Sequence, residues 1–393
     1  MGPGQGRPAG IIRRDYKGGD EVRRRSWVWR LAAVVAALAL ALGLAACGDD
    51  DDEAADTADT AGGEAEVTLN LGYVTTPEHP YGIAIDQYVK NVSSASGGAI
   101  ALTTIPTYAG GSDVQLLQDV RDGAVEMASV SAAVFPGQGV TSFQALQALG
   151  LIDRYDLEAE VIGGPIGTEM LTGTDAIGVK GLAIHEGGLR VPIGAKAPLT
   201  GAASWNGKSI RTPESSVLET GIRALGADPN PLPLGDVYGA LREGTVDGME
   251  ANLGLIVTQK FYEVAGFITA NERLWPFPTV LAINQEAFDG LSADQQQILV
   301  DEAAKLPGIS INIFVDPPQP STFPQTVCDN GMKFVIANDA ALADFAAASK
   351  KAIAELSQDA ATKGFIDQIQ AIKDGLPPPP APPPLPTGCV QQQ

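Results

Sequence analysis

Histidine occurs only twice in this 393-residue chain, at His79 and His185, and cysteine three times, at Cys47, Cys328 and Cys389. Two distant histidines and no cysteine cluster leave no zinc-type or histidine-based catalytic set to read from spacing, so no metal and no cofactor are expected. His185-Glu186 lacks a second histidine four residues on, and there is no Gly-x-Ser-x-Gly elbow. Asn206-Gly207-Lys208-Ser209 looks like the end of a phosphate loop, but Ala202 stands where the loop needs glycine, and the Lys–Ser pair enters a strand-like run. Positive charge is scarce as well. Lys and Arg number 26 against 47 Asp and Glu, a net charge of −21. That balance excludes a nucleic-acid partner. Acid pairs such as Asp247 and Glu250 read, in so acidic a chain, as solvated surface or as structural partners for lysine and arginine. Nothing assembles a nucleophile, a base and a stabiliser, so an enzyme is not expected.

Long apolar runs are also missing, with one exception. Arg23, Arg24, Arg25 and Arg30 precede an apolar run from Leu31 to Leu44, too short for a comfortable spanning helix. It ends Leu44-Ala45-Ala46-Cys47-Gly48, which resembles the lipobox of bacterial lipoproteins. Residues 1–46 then read as a signal peptide and Cys47 as a lipidated mature N-terminus, anchored at the outer face of the cell membrane. Residues 47–66 are acidic, small and polar, the composition of a disordered tether. Residues 1–46 hold eight basic and three acidic side chains, so the remainder carries 18 basic against 44 acidic, a net of −26. An anionic ligand would have to be held there by local, well-placed cations. Only seven arginines are available: Arg121, Arg154, Arg190, Arg211, Arg223, Arg242 and Arg273.

Arg211 stands out among them. Ser209-Ile210-Arg211 reads as a strand end, with Thr212 as N-cap and Pro213 as first residue of a helix running to about Leu225 before Gly226. A planar guanidinium beside a helix N-terminus makes a carboxylate-binding corner; the other reading pairs Arg211 with a structural acid such as Glu214. Before it, strand-like Val67–Thr75, a helix with Ile85, Tyr88, Val89 and Val92 inward, strand Ala99–Ile105, helix Asp113–Asp122 capped by Ser112, and strand Val125–Val130 give an α/β domain with a largely parallel sheet. Val120-Arg121-Asp122-Gly123-Ala124-Val125-Glu126 is echoed by Leu241-Arg242-Glu243-Gly244-Thr245-Val246-Asp247, as two lobes built on one plan would give. Pro307–Gln325 reads as a loop or hinge-like crossing, Leu342–Leu356 and Phe365–Ile372 as helices, and Pro377–Pro386 as an extended polyproline tail. In an exported chain, Cys328 and Cys389 could pair and tie that tail back.

Several ordered segments carry a family resemblance: Leu71-Gly72-Tyr73-Val74 with His79-Pro80-Tyr81-Gly82, then Gly207-Lys208-Ser209-Ile210-Arg211, Leu225-Gly226-Ala227-Asp228-Pro229, Val246-Asp247-Gly248 with Glu250, and Lys260-Phe261-Tyr262-Glu263-Val264. Over residues 67–305 the chain resembles the solute-binding proteins of tripartite ATP-independent periplasmic (TRAP) transporters, the dicarboxylate-binding family. The resemblance implies an α/β, two-lobed periplasmic-binding-protein-like fold of type II style, closing on a carboxylate solute that is passed to integral-membrane permease subunits. It implies lobe I from residues 67–189 and 276–306, lobe II from 190–275, a C-terminal helical segment over 307–376 and a proline-rich tail over 377–393. Arg211 is the implied carboxylate partner and Arg190 a second arginine near it. Asn252, displaced by one place from the family's asparagine, stands with Tyr81, Ser131 and Phe261 as a weaker candidate for solute contact. A ligand-sensing or receptor-presenting lipoprotein of the same fold stays open beside transport.

Overall fold

Two sheets organise the protein. The computed structural model describes residues 65–315, 322–379 and 382–392; the apolar leader, Cys47 and nearly all of the acidic tether lie outside the described residues. In chain order the strands are β1 (Val67–Tyr73), β2 (Ile100–Ile105), β3 (Met127–Ser131), β4 (Val179–His185), β5 (Val191–Gly194), β6 (Ser209–Thr212), β7 (Asp228–Pro231), β8 (Gly248–Ala251), β9 (Phe267–Thr269), β10 (Thr279–Asn284), β11 (Lys333–Ile336) and β12 (Val390–Gln392). One sheet has the order β2-β1-β3-β10-β4 and the other β12-β11-β9-β5-β8-β6-β7.

The first sheet begins as the apolar alternation of Val67–Tyr73 dictates: Leu69, Leu71 and Tyr73 are buried and join the core with Ile85, Tyr88 and Val92 from the helix Pro80–Ala95. His79 caps that helix through Nδ1, and Pro80 occupies its first turn, where a missing N–H costs nothing. Strands β1, β2 and β3 are parallel, but β10 runs antiparallel to both β3 and β4. Four of the five strands therefore run the same way, as a largely parallel sheet requires, and β10 alone opposes them. The physical reason is connectivity: β10 arrives from the second sheet, not from a neighbouring helix.

The chain crosses between the sheets at Glu186–Arg190 and returns before Thr279. The two crossings are laced together: Gly187 N–H donates to Phe277 O, Arg190 N–H to Trp275 O and Leu274 N–H to Arg190 O. Gly188 has a φ of +108°, and a Cβ there would come within 2.1 Å of Asn252 Nδ2, so only glycine fits this crossing.

Three local expectations are corrected. The helix after Arg211 starts at Ser216, capped by Ser215; Thr212 still belongs to β6, and Pro213 lies before the cap. Ser215 wins because its hydroxyl reaches Leu218 N–H. The stretch expected as a loop over 307–325 holds the helices Leu306–Val315 and Phe323–Asp329. Pro307 and Pro324 sit in first turns, where proline is tolerated. The C-terminal segment is not purely helical: β11 adds to the second sheet beside β9, and β12, after the proline-rich run, pairs with β11. Cys328 and Cys389 are disulfide-bonded across 61 residues, fastening that last strand.

Candidate functional site

Arg190, Arg211 and Glu250 come from adjoining strands of the second sheet. Arg211 lies on β6, Glu250 on β8, and Arg190 just before β5, which pairs with β8 at Pro192↔Glu250. Along β8, Met249 and Ala251 enter the apolar core of this lobe, so the alternation turns Glu250 to the opposite face. The three side chains are 4%, 4% and 0% exposed. Arg211 Nη1 is 3.5 Å from Glu250 Oε1, and Arg190 Nη1 is 3.4 Å from Oε2.

The two guanidiniums are held differently. Arg211 donates from Nε (3.1 Å) and Nη2 (2.8 Å) to the carbonyl of Leu232, which fixes its plane. Arg190 lies over the Phe277 ring, 4.0 Å from the centroid. Its Nε and Nη1, and Glu250 Oε2, have no hydrogen-bond partner among the described residues. The Arg190–Glu250 contact is thus a charge contact without hydrogen-bond alignment, and a buried guanidinium keeps unused donors. Burial pulls Arg211 down to about 10, with Glu250 opposing, so it stays cationic at neutral pH. Burial also raises the Glu250 carboxyl, held back by Arg190 and Arg211.

The first lobe closes over this cluster. Asp113, the first residue of the helix Asp113–Arg121, is 8% exposed and accepts from Ser131 N–H at 2.8 Å. Gly111 packs on Leu234 and Gly235, and Ser112 Oγ donates to Glu214, so this turn of the first lobe abuts the second. His79 is fully buried, and burial followed by the nearby Arg190 lowers it to about 3, leaving a neutral ring. Its Nδ1 accepts from Tyr81 N–H, which assigns the proton to Nε2, and that nitrogen donates to Asn252 Oδ1 across the lobes at 3.3 Å.

The other side chains singled out in the sequence have protein partners. Asn252 caps the helix Leu253–Thr258 through Leu255 N–H, and its amide donates to Gly187 O at 2.6 Å. Tyr81 is fully buried and donates to Ser129 O. Ser131 Oγ accepts from Ala133 N–H. Phe261 packs in the apolar core of the second lobe with Met249, Leu255 and Phe334. The structure therefore brings Arg190 and Arg211 together and gives Asn252, Tyr81, Ser131 and Phe261 partners within the protein. Sequence reasoning missed Asp113 and His79 and read Glu250 as surface or structural. The available signal was Glu250 standing between two apolar residues of a buried strand. Two surface hollows, one by Asp153 and Arg273 and one by Thr200 and Lys351, lie apart from this cluster.

With the geometry in place, comparison with known proteins is informative. Residues 71–359 match the family model described as bacterial extracellular solute-binding protein, family 7. A solute-binding protein of Verminephrobacter eiseniae is 30% identical over 239 residues, covering 61% of this chain and 71% of that one. The C4-dicarboxylate-binding periplasmic protein of Rhodobacter capsulatus is 29% identical over 228 residues, 58% and 68% of the two chains. Among solved structures, a TRAP periplasmic solute-binding protein of a Bradyrhizobium species in complex with galacturonate is 26% identical, with a TM-score of 0.72 over 77% of this chain and 99% of that one. The family match spans most of the chain, both lobes and both arginines. This chain belongs to the bacterial extracellular solute-binding proteins of family 7, the TRAP-type solute receptors, and is a binding protein, not an enzyme.

Proposed function

We propose that this protein captures an organic carboxylate between its lobes and hands it to integral-membrane TRAP permease subunits. The observation that carries the reading is Arg190: a side chain 4% exposed, with Nε and Nη1 lacking partners among the described residues, beside a second arginine whose plane is already set. A carboxylate bridging Arg190 and the outer edge of Arg211 meets two forks without reorganising either. In the open form both guanidiniums are hydrated. Solute entry replaces that water, and the contacts His79–Asn252 and Ser112–Glu214, which join the two lobes, describe the closed form. Solute-binding relatives whose names or crystals record C4-dicarboxylates, D-erythronate and galacturonate support a carboxylate as the common element. Cys47 carries lipid, and the acidic tether holds the lobes off the outer face of the membrane, where the closed form docks on the permease.

A thermal-shift screen of residues 67–393 against a carboxylate panel tests the binding. A solute at about 100 times its dissociation constant stabilises by about 2.7 kcal/mol. Arg190→Ala and Arg211→Ala should each cut the response to about a third or less. A response unchanged in both variants would overturn the assignment. Mass spectrometry of membrane-extracted protein tests the anchor: a diacylated Cys47 at the N-terminus supports it, an unmodified soluble protein contradicts it.

A further inference from the structure

One contact between the lobes is made almost wholly of backbone. In the first lobe, the turn after β2 passes through left-handed conformations at Thr107, Ala109, Gly110 and Gly111, with φ of +51°, +49°, +65° and +86°. It is braced from behind: Thr107 N–H donates to Thr75 O at 3.0 Å, and the Tyr108 hydroxyl donates to Asp119 at 3.0 Å. The turn thus presents the Gly110 carbonyl as a fixed edge. Opposite it in the second lobe stands Leu234-Gly235. A Cβ on Gly235 would lie 2.4 Å from Gly110 O, and one on Gly111 would lie 2.8 Å from Leu234 Cβ. Gly235 itself is exposed and has no positive φ, so its own backbone does not require glycine. Only the approach of the other lobe does.

The segment behind Gly235 leads to the arginine. It reads Pro229-Asn230-Pro231-Leu232-Pro233-Leu234-Gly235, with proline at every second position up to Pro233, and each ring fixes φ. Leu232 N–H donates to Thr212 O at 3.0 Å, and Leu232 O accepts from Arg211 Nε and Nη2. A stiff segment therefore joins the interlobe contact to the carbonyl that sets the plane of Arg211.

Resting on the carboxylate reading above, we propose that Gly110–Gly111 and Leu234–Gly235 form a closure latch, and that Leu232–Gly235 is the positioning element coupling lobe closure to the grip of Arg211. Closing seats the turn on Gly235, and the proline-stiffened segment then holds Leu232 O, and with it the guanidinium, in place on the solute carboxylate. Gly235 acts through Arg211, governing how long the solute stays. The seating is decisive because the side-chain contacts between the lobes, Ser112–Glu214 at 3.4 Å and His79–Asn252 at 3.3 Å, are long for hydrogen bonds. Moving a Cβ on Gly235 from 2.4 Å to an ordinary 3.4 Å separates the lobes there by about 1 Å, which carries both out of reach.

Gly235→Ala tests the latch and Pro233→Gly the coupling. Gly239→Ala is the control, since a Cβ on Gly239 meets nothing within 4 Å. Each is titrated by calorimetry and stopped flow with four- to six-carbon carboxylates, D-erythronate and galacturonate among them. Gly235→Ala should bind the tightest of these at least tenfold more weakly, nearly all of it as a faster off-rate. Small-angle X-ray scattering of the saturated variant should show lobes less closed than in saturated wild type. Its solute-free stability to urea should hold or rise, because alanine at an ordinary φ restricts the unfolded chain. Pro233→Gly should raise the off-rate several-fold while scattering still reports closure. Gly239→Ala should bind as wild type does. A wild-type off-rate in either Gly235→Ala or Pro233→Gly overturns the proposal and leaves the carboxylate reading standing. So does weaker binding by Gly235→Ala matched by an equal loss of solute-free stability, the mark of a merely structural residue. No binding of any carboxylate by the wild type overturns the carboxylate reading and the latch with it.

Discussion

Replacing Glu250 with glutamine separates the counter-ion from the fold. The glutamate is 0% exposed and faces two guanidiniums, Arg190 at 3.4 Å and Arg211 at 3.5 Å. Removing one partner of a buried ion pair costs roughly 3–5 kcal/mol, because the remaining charge is left uncompensated. Glutamine preserves the shape and one acceptor, so the low end applies, about 3 kcal/mol. At roughly 2–4 °C per kcal/mol, the solute-free Tm of Glu250→Gln should fall by about 6 °C or more at neutral pH. The exposed Glu243→Gln serves as control and should hold Tm within about 1 °C, as surface substitutions do. The variant also frees positive charge, so a bound carboxylate should restore more stability to Glu250→Gln than to wild type. Differential scanning fluorimetry with and without solute reads both effects. An unchanged Tm with equal solute response would refute the role of Glu250 as shared counter-ion of the two arginines.

Other perturbations follow from the same contacts. Arg211→Ala should weaken solute binding by about 30-fold or more, since losing one side of a desolvated charge pair costs roughly 2–5 kcal/mol, and Arg211→Lys should recover little, because an ammonium cannot bond Leu232 O and a carboxylate as the fork does; calorimetry decides. Gly188→Ala puts a side chain at φ +108° and into Asn252, so roughly 1–3 kcal/mol of backbone strain adds to the loss of the Asn252 cap, measurable by urea unfolding. Cys328→Ser should cost about 4 kcal/mol from the loop-closure entropy of a 61-residue separation, and proteolysis should then clip the tail. Glu272 is 1% exposed, both its carboxylate oxygens lack a hydrogen-bond partner among the described residues, and burial raises it to about 8. Its folded state holds a proton that the unfolded state releases, so its stabilising contribution is complete below about pH 4.5 and is lost as pH rises towards 8. Glu272→Gln should flatten a slope of up to about 1.4 kcal/mol per pH unit in that window, read from Tm against pH.

The alternation of Val67–Tyr73, the spacing of Ile85, Tyr88 and Val92 and the Ser112 cap made the first strand and the first two helices legible, because each is a local pattern. Strand β10 was placed but not oriented, since its direction depends on a crossing from the other lobe. The helix Leu306–Val315 was hidden by counting Pro307 as a breaker when it stands in a first turn. Strand β11 is four residues long, and its partners come from Phe267–Thr269 and the extreme C-terminus, a pairing no window of sequence contains. In the site, Arg190 and Arg211 could be found because arginine is rare here. Asp113 could not, because acids are common and its neighbours in the cleft lie about a hundred residues away.

The most direct measurement is a crystal structure of residues 67–393 grown with a solute that the panel identifies. The account predicts closed lobes with the solute carboxylate within 3.2 Å of nitrogens on both Arg190 and Arg211. A solute bound elsewhere, with both guanidiniums bonded only to Leu232, Glu250 and other protein atoms, would contradict it.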